Sequence, residues 1–275
     1  MNSNSQPIKL FLVLAFSCTN LLVNLTSVLA KPTLDSSRSD GSQTKTTLAQ
    51  VASFNQPPIP PGPAPGGRVR GGAKRGGPGC KITKLDLTAL VPFTQEANSV
   101  VNVWGQTTVE HPSWFFYVPY TKDLPYTVEF VVQEDPDSKD SKEIYRKAIA
   151  LPDKPGVIRV SLPTNTPALA VDKQYRWFFT INCDKEKNSP PTYVEGVIKR
   201  VNLSAETVKE LETTEPLKRY AIYAQKGIWY DALTTLAELR QKNPQDAALQ
   251  AEWRNLLGSI RLDDVGAESI LPVTP

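Results

Sequence analysis

A change of hydrophobic period near residue 202 constrains this chain more than any other feature. From Lys81 to about Val201, apolar residues recur at every second position, in short runs broken by Pro, Gly, Asp and Asn. The clearest run is Tyr175 to Cys183, in which Tyr175, Trp177, Phe179, Ile181 and Cys183 share one face of a strand. Val128, Phe130 and Val132 alternate in the same way, as do Ile158, Val160 and Leu162. About seven such runs can be drawn, near 82–90, 114–118, 127–134, 143–150, 157–162, 175–183 and 193–201. From Ser204 onward the spacing becomes that of helices.

No helical pattern separates the strands, so a parallel sheet wound with helices is excluded. The expected fold is mainly β: an antiparallel sandwich of the immunoglobulin or fibronectin kind over 80–202, followed by a C-terminal α-helical segment. Leu169, six residues before Tyr175, resembles the tyrosine corner of such sandwiches. In the helical part Ser204 caps a short helix that ends before Thr213. Leu217, Tyr220, Ala221 and Ala224 form the stripe of a second helix that Gly227 terminates. A third helix runs from Trp229 to Gln241 and stops at Pro244, and Asp246 caps a fourth. The helical tail is placed at 203–262, with 263–275 as a flexible C-terminus.

The first thirty residues read as an export signal. A polar start ending at Lys9 precedes the apolar run from Leu10 to Phe16, and Val28 and Ala30 offer small residues for cleavage. Asn20, Asn24, Thr19 and Thr26 sit poorly in hydrocarbon, which argues against a retained membrane helix. Membrane contact would then arise only through a retained leader or a lipidated Cys18. Residues 31–79 are rich first in Ser and Thr, then in Pro, Gly and Arg, and are expected to be a disordered linker.

Removing the leader takes away Lys9 and no acid, so the net charge falls from +3 to +2. Residues 41–80 hold Lys45, Arg68, Arg70, Lys74 and Arg75 with no acid, which leaves the rest of the chain slightly acidic. The tract Arg68 to Gly77 resembles the arginine-glycine segments of RNA-binding proteins. An exported address removes RNA as a partner, and the folded part has no basic surplus to attract nucleic acid. Cleavage leaves two cysteines, Cys80 and Cys183, and an even pair in an exported chain is read as a disulfide.

Catalytic chemistry finds little support in the residues. His111 is the lone histidine, so paired-histidine metal motifs are absent. No Gly-x-Ser-x-Gly elbow and no phosphate-cradling Gly-Lys-Ser/Thr loop occurs. Glu129, Glu134, Asp135 and Glu195 are the carboxylates available to pair across strands, but their spacing selects no pair. No catalytic residue, metal ligand or cofactor is therefore expected. Large aromatics carry the binding alternative: Trp104 before Gly105, Tyr120, and Tyr230 beside Trp229 are candidate partner-binding residues.

Two resemblances extend this reading. Tyr223 to Leu233, with Leu236, Leu239 and Pro244, resembles a single tetratricopeptide repeat, in which Gly227, Trp229 and Ala232 take the turn and packing positions. One repeat cannot build the concave groove that arrays use. Val109 to Pro119, Glu129 to Glu134, Tyr175 to Phe179, Val194 to Val201 and Gly227 to Leu233 together resemble the secreted cyanobacterial family called domain of unknown function 928. That resemblance runs from about Arg68 to the C-terminus. It implies export and a sandwich and helical tail that travel together, and it brings no catalytic residues. The expected function is a periplasmic or extracellular, non-catalytic binding or scaffold protein whose partner is another envelope or secreted protein. A module binding cell-surface polysaccharide and a carboxylate-dependent hydrolase are the alternatives.

Overall fold

The run Ser113 to Val118 is buried at every position, which a strand shows only when both of its faces are covered. It is the middle of a three-stranded antiparallel sheet. That sheet is ordered β1 (Thr88–Ala89), β4 (Ser113–Val118), β7 (Gly156–Ser161). On one side Phe116 stacks on Phe179 at 4.3 Å and lies edge-on to Trp177 at 5.7 Å. Both partners belong to a second sheet. On the other side Phe115 meets Trp253 of the helical segment. The chain thus forms two facing sheets with helices packed behind the smaller one. The computed structural model describes residues 53–60, 64–72, 80–96, 100–134, 141–184 and 189–272, all within one compact unit from Ala49 to Pro275.

The larger sheet has six strands: β2 (Phe93–Gln95), β3 (Val101–Thr107), β9 (Thr192–Arg200), β8 (Gln174–Asn182), β5 (Thr127–Glu134) and β6 (Glu143–Ile149), in that order across the sheet. Its interior face carries Val128, Phe130 and Val132 against Trp177, Phe179 and Ile181, as alternation requires. At the start of β8 the Tyr175 hydroxyl accepts from the Ala170 N–H at 2.9 Å, and Leu169 is fully buried. Cys80 and Cys183 are joined, with Cα atoms 5.0 Å apart and a sequence separation of 103.

Four expectations are corrected. First, the sandwich is not wholly antiparallel, because β3 runs parallel to β9, Trp104 opposite Val197 through Thr107 opposite Arg200. A period of two is the same for either direction, so alternation alone does not fix the sense. Second, β2 and β3 were absent from the expected strands. Asn102, Gly105 and Gln106 interrupt the apolar alternation of β3, yet Asn102 is buried with its amide donating to Glu96.

Third, the described parts of the expected linker are packed. Arg68 and Glu195 exchange both backbone hydrogen bonds at 2.9 Å, and the Val103 N–H donates to Gly66. This strap fills the gap where β3 and β9 diverge. Phe54 is buried edge-on against Trp229, 4.8 Å between ring centres, and the Arg70 guanidinium grips Asp264 through two bonds. A Pro- and Gly-rich segment has little apolar surface of its own, but it can use backbone partners and two apolar anchors, Phe54 and Val69. Fourth, the C-terminus expected to be flexible is ordered through residue 272. Asp263–Gly266 is a short helix, and Ile270 bridges Val157 in parallel. Buried Val265 and Leu271 anchor it. The expected export signal at 1–30, Cys18, Asp135 and residues 273–275 lie outside the described residues.

The helices start where their caps predict. Ser204 accepts from the Thr207 N–H before α1 (Ala205–Thr213), and Asp246 accepts from Ala248 and Leu249 before α4 (Ala247–Gly258). Between them lie a 3-10 turn at Pro216–Lys218, α2 (Arg219–Gln225) and α3 (Trp229–Lys242). Asp263–Gly266 is α5. Leu217 falls on the 3-10 turn and is 52% exposed, so it leaves the stripe assigned to it. Gly227 reverses the chain between α2 and α3 at φ +77°, where a Cβ would also lie 2.9 Å from the Asn55 carbonyl oxygen.

Candidate functional site

None of the three candidate rings is displayed. Trp104 is 1% exposed, because the unrecognised strand β3 sets it across the ladder from buried Val197. Tyr120 is buried beside the disulfide end of the molecule. Its hydroxyl donates to the Lys81 carbonyl and its ring lies edge-on to Tyr126 at 5.3 Å. Burial pushes that hydroxyl up to about 12. Tyr230 is 2% exposed and its hydroxyl accepts from the Trp177 indole N–H at 3.0 Å.

Adjacent helical side chains diverge by about 100°, so one of Trp229 and Tyr230 was expected to face solvent. Both directions are instead occupied. Tyr230 enters the sheets over Gly105, where a Cβ would lie 3.0 Å from its ring. Trp229 points to the strap and the β1 end, donating to the Leu90 carbonyl at 2.8 Å. Burial raises the Tyr230 hydroxyl far above the usual tyrosine range.

The next residue, Asp231, builds the site. It lies in the first turn of α3 and is 6% exposed. One carboxylate oxygen accepts from the Thr107 hydroxyl at 2.7 Å, and the Thr108 hydroxyl and N–H bond to the same carboxylate. Burial raises its carboxyl, and these bonds oppose that rise without cancelling it. The clasp joins the end of β3 to the start of α3. The end of β9 is held there too, since the Val201 N–H donates to Thr107 at 2.8 Å. Arg200 fixes the following loop, donating to Leu169 at 2.7 Å and to Thr108 at 3.3 Å.

Above the clasp is a cavity of about 260 Å³ bounded by Asp231, His111, Ser113, Arg159, Tyr223 and Glu238. Arg159 spans it from β7, with its Nε donating to Ser113 at 3.0 Å and its Nη1 to Glu238 of α3 at 2.9 Å. His111 Nε2–H donates to the Thr166 carbonyl at 3.1 Å, which draws the loop before β4 onto the corner at Leu169. The Tyr223 hydroxyl is raised first by burial and then by the charge of Asp231. The segments Val109 to Pro119 and Gly227 to Leu233, far apart in the chain, meet here.

The carboxylates singled out from sequence do not converge. Glu129 is ion-paired to Arg146, Glu134 to Lys173 at 2.9 Å, and Glu195 lies beside the strap. Among the described residues, no three of His, Cys, Asp and Glu are placed to hold a metal ion. Asp231, Arg159, Tyr223 and Glu238 were not singled out. Asp231 carries one local signal, an acid in the first turn of a helix. Its partners Thr107 and Thr108 lie at the end of the strand that sequence reading missed. The cavity can hold a small polar group against hydroxyls and one ion pair.

The family model described as Domain of Unknown Function (DUF928) matches residues 70–270. The chain belongs to that family. Among curated proteins no match is found.

Proposed function

We propose that this member of the DUF928 family is an exported, non-catalytic binding or scaffold protein of the cell envelope. The observation that carries the reading is that the aromatic rings and carboxylates singled out for chemistry are invested in the fold. Trp104, Tyr120 and Tyr230 are core residues, and Glu129 and Glu134 are ion-paired. What remains outside includes charged side chains and the open backbone edge of β7, which suits contact with another protein. The Cys80–Cys183 bridge supports an oxidising compartment, and thus the reading of 1–30 as a cleaved leader. The corner at Tyr175 supports an immunoglobulin-like relationship for the sheets. The α2–α3 pair around Gly227 supports the tetratricopeptide-like reading of that hairpin.

The test is chemical cross-linking of the full chain in its own cells, followed by envelope fractionation and mass mapping without reductant. The expected result is envelope or secreted material with a mature start at Lys31, Cys80 joined to Cys183, and a reproducible protein partner. Cytoplasmic material with free thiols would overturn the export reading. Recovery of polysaccharide with no protein would overturn the partner class.

A further inference from the structure

The two sheets leave open edges on one side of the molecule, and a groove of about 440 Å³ runs between them. Ile149 of β6 and Ile158 and Val160 of β7 line it, with Leu271 closing one end. The edge of β7 is half used. The Val157 N–H donates to Ser269 and its carbonyl accepts from Leu271, both at 2.8 Å, so Ser269 to Leu271 lie alongside as a parallel strand. Strand groups pointing to one edge repeat every second residue. The next outward groups on β7 are therefore the N–H and C=O of Arg159 and Ser161. These four have no backbone partner among the described residues.

An apolar groove beside a half-finished ladder is the geometry in which extended peptides add to a sheet. The charge of the rim selects among such peptides. Asp153 is taken by Lys122 and Arg159 by Glu238. Lys147 and Lys154 are exposed and have no ion-pair partner among the described residues. We infer that β7 binds an extended acidic and apolar segment of a partner protein, which adds as a strand beside Arg159 to Ser161. This rests on the binding reading above and names the surface and the peptide chemistry it uses. Backbone bonds supply the affinity, and the side chains on the groove-facing side of the added strand meet Ile149, Ile158 and Leu271 where they are apolar and Lys147 and Lys154 where they are acidic.

The test is selection of the purified full chain against a displayed library of random octapeptides, followed by hydrogen exchange with an enriched peptide bound. Enriched sequences should carry apolar and acidic residues together at every second position, the positions that face the groove. The amides of Arg159 and Ser161 should slow by at least about tenfold, as expected on entering a hydrogen-bonded ladder, while those of the distant edge strand β2 stay unchanged. Lys147→Glu combined with Lys154→Glu, both at exposed positions, should weaken binding by about tenfold or more. Truncation after Pro272 should leave binding intact.

No enrichment, or protection that maps elsewhere, overturns the inference. So does protection of Arg159 and Ser161 in the free protein that vanishes on truncation, because the chain's own tail would then be the occupant. A concentration-dependent dimer that alone protects these amides assigns the edge to a second copy and also overturns it. A partner recovered from the envelope that leaves Arg159 and Ser161 unprotected would keep the binding role and sink only this surface.

Discussion

The interior between the two sheets and the junction of α3 with them are both buried, but different physics specifies them. Between the sheets Phe116, Phe130, Trp177 and Phe179 meet through ring faces and edges at centroid distances of 4.3 to 5.8 Å. Apolar contact there is non-directional and scales with area. At the junction three side chains of the α3 start bring polar atoms that find partners. Tyr230 finds the Trp177 indole, Trp229 the Leu90 carbonyl, and Asp231 the two threonines. An area-driven interior tolerates reshaping at constant volume. A hydrogen-bonded junction does not, because a lost partner leaves a buried group unsatisfied.

The largest expected effect lies in the first region. Phe116→Ala should cost about 3–5 kcal/mol by urea unfolding, since it removes a ring that touches three others in a space unable to collapse. A loss below about 1 kcal/mol would mean the sheets are not packed face to face.

Asp231→Asn comes next and carries a pH signature. Burial raises the Asp231 carboxyl, so the native state binds its proton more tightly than the unfolded chain, whose value is 3.8. The carboxyl is therefore least favourable at neutral pH. Its contribution improves as pH falls through the raised native value towards 3.8. The asparagine has no such titration, so the wild type should gain stability relative to the variant as pH is lowered from 7 towards 4. A difference independent of pH would contradict the buried, charged clasp.

Tyr230→Phe preserves volume and removes only a hydroxyl. It should cost about 1–2 kcal/mol by leaving the Trp177 N–H without an acceptor. A neutral result would place the junction in the same class as the sheet interior.

The smallest effect belongs to the strap. The Arg70 guanidinium holds Asp264 below its ordinary carboxylate value. That contribution is present above 3.8 and is lost as pH falls through the lower native value. Both side chains are partly exposed, so Arg70→Met should cost less than about 1 kcal/mol at neutral pH. Faster amide exchange around Arg70 and Asp264 would be its main readout.

The same division explains what could be read from the chain. Strands β5 to β9 were visible because one face of each meets the other sheet, and that contact imposes alternation, whereas β4, covered on both faces, was visible as a continuous apolar run. The caps at Ser204 and Asp246 were visible because capping is local. Strand β3 was not, because Asn102 is buried by bonding Glu96 and Gly105 exists to admit Tyr230, a residue 125 positions later. The strap was hidden for the opposite reason, since its order comes from backbone bonds to Glu195 and Val103 and from isolated anchors, Phe54, Val69 and Arg70, that make no periodic pattern. With β3 and the strap unseen, Tyr230 and Trp104 had no place inside, and the Asp231 clasp had no partners.

The central claim is that the helical segment is welded to the sheets through Tyr230 and Asp231 and unfolds with them. Native-state hydrogen exchange tests it directly, by comparing the slowest amides of α3 with those of β8. The account predicts the same opening free energy for both, falling together in Tyr230→Phe. Amides of α3 that open at a markedly lower free energy while β8 stays protected would show a separable helical domain and contradict it.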